Sequence, residues 1–196
     1  MNRLATLLCA TAALGTSLTA DAQADARAFL EQKHAAVTRL MEQPQSPTRD
    51  RQLTRMLSEL LDYRELSRRA LAGEWEARSE AERDEFVSLL EQLVERSYRR
   101  NLRRTLRFEV AYEAAEPRGE QEVLVRTEAR SRTNRRAPPV SIDYLLRRVG
   151  RSWRVVDLTV DDGMSMVESY RRQFARIIAR EGWEGLIGRM RARLES

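Results

Sequence analysis

The run Val140-Ser-Ile-Asp-Tyr-Leu-Leu-Arg-Arg-Val-Gly-Arg-Ser-Trp-Arg-Val-Val-Asp-Leu-Thr-Val160 decides the fold. Val140, Ile142, Tyr144 and Leu146 recur with period two, the pattern of a strand with one face buried. The break at Gly150-Arg151-Ser152 is too short for anything but a hairpin turn, so an antiparallel partner follows at once. In that partner Trp153 and Val155 share one parity and Val156, Leu158 and Val160 the other, which predicts a strand covered on both faces.

Period two also extends upstream. Phe108, Val110 and Tyr112 alternate with polar or small residues, Pro117-Arg118-Gly119 turns the chain, and Val123, Val125, Thr127 and Ala129 alternate again. Four sequential strands with no helix between them predict an antiparallel sheet in an α+β fold, not a parallel α/β fold.

Helical patterns flank the sheet. Ala24 to Glu42 carries Phe29, Leu30, Ala36, Val37, Leu40 and Met41 on a loose stripe before Pro44 and Pro47. Ser46-Pro47 is an N-cap and first-turn pair for a helix bearing Leu53, Met56, Leu57, Leu60 and Leu61. Asp62 caps a short helix that stops near Gly73. Ser79-Glu80-Ala81-Glu82 is a capping box opening the clearest amphipathic helix, with Phe86, Leu89, Leu90, Leu93, Val94, Tyr98 and Leu102 on one face. After Asp161-Asp162-Gly163 the helical period returns through Met166, Val167, Tyr170, Phe174, Ile177 and Ile178 to Gly182. A last helix carries Trp183, Leu186, Ile187, Met190 and Leu194.

Composition narrows the function. Of 196 residues 42% are hydrophobic and 33% charged, which excludes a polytopic membrane protein and argues against disorder. One cysteine, Cys9, and one histidine, His34, leave neither a disulfide framework nor a Cys- or His-based metal site. The net charge of +5 would suit nucleic acid, but the N-terminus speaks against it. Arg3, an apolar run from Leu4 to Leu18 and Ala20-Asp21-Ala22 form a secretory leader with an A-x-A cleavage site. The run falls short of the roughly 20 residues that span a bilayer. Residues 1–22 are therefore expected to be removed; cleavage after Ala24 fits almost as well. Residues 23–196 remain as one exported, cysteine-free domain.

Catalytic chemistry finds no support. There is no G-x-S-x-G elbow and no thiol after cleavage, and His34 reads as a solvated surface residue in a polar stretch. Asp161-Asp162 reads as an N-capping pair at a helix start, not a calcium or acid–base site. Arg99, Arg100, Arg103, Arg104 and Arg107, with Arg130, Arg132, Arg135 and Arg136, read first as solvated faces and second as a contact for an anionic membrane or acidic protein.

The stretch Ser141 to Leu158, with Gly163-Met-Ser-Met-Val167 and Tyr170-Arg-Arg-Gln-Phe174, resembles the MlaC family of periplasmic phospholipid-carrying proteins, also called toluene-tolerance proteins. Leu61-Asp-Tyr-Arg-Glu-Leu-Ser-Arg-Arg-Ala-Leu71, Trp75 and Glu181-Gly-Trp-Glu-Gly-Leu-Ile187 agree with it, and the likeness runs from about Arg27 to Leu194. Met164, where the family usually has a β-branched residue, and the doubled Asp161-Asp162 depart from it. The resemblance implies an NTF2-like or MlaC-like fold, with an apolar pocket between sheet and helices. No enzymatic activity, catalytic residue, metal or cofactor is implied, and phospholipid is the cargo. The implied lining is Leu90, Val94 and Tyr98 from the long helix, Tyr144, Leu146 and Trp153 from strands, and Met164, Val167, Tyr170 and Phe174 after the sheet. Implied partners are an outer-membrane lipoprotein complex and an inner-membrane ABC transporter complex, with the carrier a monomer in the periplasm and no nucleic acid bound. A carrier for another hydrophobe, such as a hopanoid or aromatic solvent, and an NTF2-like enzyme stay open as alternatives.

Overall fold

The sheet is a four-stranded antiparallel meander: β1 (Phe108–Pro117), β2 (Glu122–Ser131), β3 (Val140–Val149) and β4 (Ser152–Val160), hydrogen-bonded in that order. Five helices precede it: α1 (Ala20–Met41), α2 (Pro47–Leu60), α3 (Tyr63–Leu71), α4 (Gly73–Glu76) and α5 (Glu80–Thr105). One, α6 (Met166–Glu195), follows it. The structure, a computed structural model, describes residues 20–196, the side chains of 101–105 and 114 excepted. Most of the expected leader, with Arg3, Cys9 and the apolar run, lies outside the described residues, as does the side chain of Leu102. Ala20, Asp21 and Ala22 form the first turn of α1. Among the described residues no helix is long and apolar enough to cross a membrane.

Local signals set the helix starts. The Ser46 hydroxyl accepts the Arg49 N–H at 3.1 Å, and the Asp62 carboxylate accepts the Glu65 N–H at 3.0 Å. The capping box closes as Ser79 N–H donates to Glu82 at 2.7 Å. Asp161 and Asp162, in contrast, do not cap α6. Both adopt positive φ, 50° and 52°, in a turn closed by the Gly163 N–H on the Val160 carbonyl. Aspartate tolerates this left-handed backbone, so the pair makes the turn, and Ser165 caps the helix through the Glu168 N–H at 3.1 Å. Gly182, at φ 72°, kinks α6 where the sequence predicts a break.

The parity change in β4 has a different cause from double coverage alone. Leu146 pairs with Val155 and Leu145 with Asp157, which leaves Val156 as the extra residue of a β-bulge. Leu158 and Val160, opposite Tyr144 and Ile142, thereby return to the face of Trp153 and Val155. The strand's edge is still wrapped: Leu61 bridges Val155, and α2, α3 and α6 all contact β4.

Buried side chains fall into three clusters. The helical one joins Tyr63, Leu66, Trp75, Phe86, Leu90, Val167, Phe174, Trp183 and their neighbours from α3 to α6. A second puts Ala22, Ala26 and Leu30 of α1 on Val123, Val125, Leu146, Trp153 and Val155 of the sheet. The third joins Val37 and Leu40 of α1 to Leu53 and Leu57 of α2. At roughly 25 cal/mol per Å² of apolar surface, burial of these faces is what holds the helices to the sheet.

Candidate functional site

The inward stripe of α1 runs Ala22, Ala26, Leu30, half-buried His34, Val37 and Leu40, and it changes partner at His34. Before it the helix lies on the inner face of the sheet; after it the helix packs on α2. The inner face nevertheless stays apolar past that point. Phe108 and Val110 of β1, Val140 and Ile142 of β3, and Leu158 and Val160 of β4 continue it, half-buried or exposed, and belong to none of the three clusters. Among the described residues, this stretch of apolar floor has no packed cover.

Four rings stand where this floor meets the cores. The Nδ1 of His34 and the hydroxyl of Tyr112 share a hydrogen bond of 2.6 Å. The Tyr144 ring meets the imidazole edge-on at 5.3 Å between centroids. Tyr98 of α5 packs on the third cluster, and its phenol approaches Tyr144 closely enough to raise it electrostatically. Burial lowers His34 to about 4 and pushes Tyr98 up to about 12; it raises Tyr112 and Tyr144 further still. The expectation of a solvated His34 is thus corrected: the residue is half-buried because it occupies the helix stripe between Leu30 and Val37.

This arrangement suits binding better than catalysis. A general base for work near neutral pH wants a pKa near 7, and an imidazole at about 4 is a poor one. Uncharged phenols and a neutral imidazole beside an apolar floor offer hydrogen bonds without a fixed charge, which fits a largely apolar ligand with a few polar atoms. Among the described residues no group of three or more His, Cys, Asp or Glu is placed to hold a metal ion.

The ten residues expected to line a single pocket are divided. Leu90, Val94, Val167, Tyr170 and Phe174 belong to the helical cluster, where Phe174 stacks on Tyr170 at 5.4 Å and meets Phe86 edge-on at 5.4 Å. Leu146 and Trp153 are buried under α1, with Tyr144 at the margin of that cluster. Tyr98 belongs to the third cluster. Met164 is 46% exposed in the turn before α6. Of the ten, the structure brings only Tyr98 and Tyr144 together at the floor. Two open clefts contain none of the ten, and the smaller one touches the floor at Leu158. One of about 410 Å³ is lined by Pro47, Asp50, Arg51, Thr54 and Arg99; one of about 200 Å³ includes Arg118, Glu122, Asp143 and Asp157.

Sequence reasoning missed His34, Tyr112 and the floor residues Phe108, Val110, Ile142, Leu158 and Val160. The four-residue step from Leu30 to His34 was the available signal for the histidine. For the floor it was the shared parity across β1 and β3.

Comparison with known proteins agrees with this architecture. The chain is similar in fold to the solved structure of a phospholipid-binding protein from Ralstonia solanacearum in complex with a phospholipid. The TM-score is 0.70 at 21% identity, and the likeness covers 87% of this chain and 97% of that one. None of the curated proteins matches the chain. The family model described as MlaC protein matches residues 31–192, from the middle of α1 through the sheet to the last turn of α6, and the chain therefore belongs to the MlaC family.

Proposed function

We propose that this protein is a periplasmic carrier of phospholipid, exported through a leader at residues 1–22, that takes lipid between an outer-membrane lipoprotein complex and an inner-membrane ABC transporter complex. The observation that carries the reading is the apolar floor of β1, β3 and β4 continuing beyond the point where α1 leaves the sheet. Family membership and the phospholipid held by the Ralstonia solanacearum protein support it.

Physical need matches the geometry. Each methylene exposed to water costs about 0.8 kcal/mol, so a two-tailed lipid crosses an aqueous compartment only inside a protein. The floor supplies one wall for the acyl chains. Loading parts α1 and α5 from the sheet at the ring seam, where His34, Tyr98, Tyr112 and Tyr144 lie between the sheet cluster and the α1–α2 cluster. Contacts with methylenes do not depend on the headgroup, so the floor accepts lipids of differing headgroup.

Native mass spectrometry of protein taken from the periplasm tests this. One phospholipid per chain is expected. Ile142→Glu, which sets a carboxylate on the floor but outside every buried cluster, is expected to abolish the lipid-bound mass at a stability loss of only about 1–2 kcal/mol. Wild-type protein with no bound lipid, or a folded Ile142→Glu variant that retains it, would refute the reading. A bound hydrophobe that is not a phospholipid would reassign the site to that molecule.

A further inference from the structure

An antiparallel meander brings the start of β1, the β2–β3 loop and the end of β4 to one rim of the sheet. Four exposed arginines stand there: Arg107 before β1, and Arg132, Arg135 and Arg136 in the loop. None of the four pairs with a carboxylate among the described residues. Elsewhere, Arg27, Arg64, Arg69, Arg118 and Arg126 each have a glutamate partner, while scattered arginines such as Arg151, Arg176 and Arg180 have none among the described residues.

The loop holds its shape. The Ser131 hydroxyl accepts the Asn134 N–H at 3.0 Å, the Asn134 side chain accepts the Arg136 N–H at 3.1 Å, and the Arg132 N–H donates to the Arg107 carbonyl at 2.8 Å. Pro138 and Pro139 stiffen its exit. Of the three most exposed large hydrophobic residues, Val160 at 44% and Met164 at 46% lie on this same rim, while Val149 lies at the other end. Four acidic groups also stand at the rim, and the four arginines with Arg130 exceed them by one charge. Glu128 pairs with Arg130, Glu109 lies opposite Arg130, and the Asp161 carboxylate accepts the Ser141 N–H on the β4 side, next to Asp162.

We propose that this rim docks on an anionic lipid bilayer, with the four arginines on lipid phosphates and Val160 and Met164 entering the headgroup boundary. A bilayer fits better than a protein partner. Residues 131–139 contain no aromatic residue and Phe108 beside Arg107 is half-buried in the floor, so the described rim offers no exposed aromatic anchor of the kind that dominates protein interfaces, and a mobile array of phosphates needs no shaped pocket. The apolar floor also reaches this rim at Val140 and Val160. The inference adds to the carrier reading without requiring it, because adsorption and cargo are read separately.

Co-sedimentation of the purified protein with vesicles decides the matter. Vesicles of phosphatidylcholine with about one third phosphatidylglycerol are expected to bind it at low salt and release it at high salt, where screening shortens the reach of the attraction. Phosphatidylcholine alone is expected to bind it weakly. Each arginine near a charged leaflet contributes about fivefold, so R132A/R135A/R136A is expected to weaken binding on the order of a hundredfold. The control R151A/R176A/R180A removes the same charge from exposed, unpaired positions away from the rim and is expected to lose far less. Indifference of wild type to phosphatidylglycerol, an unchanged affinity in the rim variant, or an equal loss in the control would each overturn the proposal. Capture of an acidic protein in place of vesicles would do so too. Native mass spectra of the same variants read cargo: missing lipid with normal vesicle binding would sink the carrier reading and leave this one standing.

Discussion

Burial drops His34 to about 4, against about 6.5 in an unfolded chain, so the folded protein keeps this imidazole neutral. Between those values only the unfolded state takes up the proton. The contribution is therefore complete above pH 6.5 and is lost as the pH falls toward 4, with an upper size of about 3 kcal/mol. Urea midpoints at pH 7.5 and 4.5 measure it. His34→Phe is expected to flatten the difference, and a variant with the wild-type slope would show that other groups produce it. Glu95 and Asp143, both raised first by burial, work in the opposite direction and are common to the two proteins. Phe174 gives a second expectation at this scale. It is buried between Tyr170 and Phe86, so Phe174→Glu should cost well over 3 kcal/mol and lower soluble yield, unlike Ile142→Glu on the open floor.

Elements differ in how locally they are determined. The caps at Ser46, Asp62 and Ser79 were legible because a cap needs only its next three residues. The kink at Gly182 was legible for the same reason. Its φ of 72° and ψ of −176° lie in a region open essentially to glycine alone, and the bend returns Trp183, Leu186, Ile187 and Met190 to the helical core. A Cβ there would meet nothing within 4 Å, so Gly182→Ala tests the backbone alone. A loss of about 1–3 kcal/mol in thermal or urea unfolding is expected, and a neutral outcome would mean that α6 runs straight. The bulge at Val156 was not legible. Apolar residues at both parities describe a doubly covered strand and a bulged one equally well, and only the pairing of Leu145 with Asp157 separates them.

A charged network ties the helical half to the sheet. Glu65 of α3 accepts from Arg68 at 2.8 Å and Arg69 at 2.7 Å, lies 3.0 Å from Arg147 of β3, and Arg69 reaches on to Glu122 of β2. Burial alone would raise Glu65, but the arginine hydrogen bonds and charges outweigh it and hold the carboxyl at about 2. On the other face of the sheet α1 covers Val123, Val125, Leu146 and Val155 and then leaves for α2, and the apolar stretch that no described residue packs over ends at the arginine rim. The apolar floor and the arginine rim thus share one end of the sheet.

The sequence by itself determined the α+β order, the caps, the strand alternation and the family likeness, since each is written in neighbouring residues or in a fixed period. It also picked out side chains that leave water, such as Leu90, Leu146 and Phe174. Tertiary structure alone decided which neighbour covers each of them. A period of 3.6 or 2 marks an apolar face but not its partner, so the ten expected lining residues lie spread over three packed clusters, their margins and the turn before α6. The burial of His34, and the meeting of Arg107 with Arg132, Arg135 and Arg136 at one rim, became visible only when chain segments far apart in sequence met.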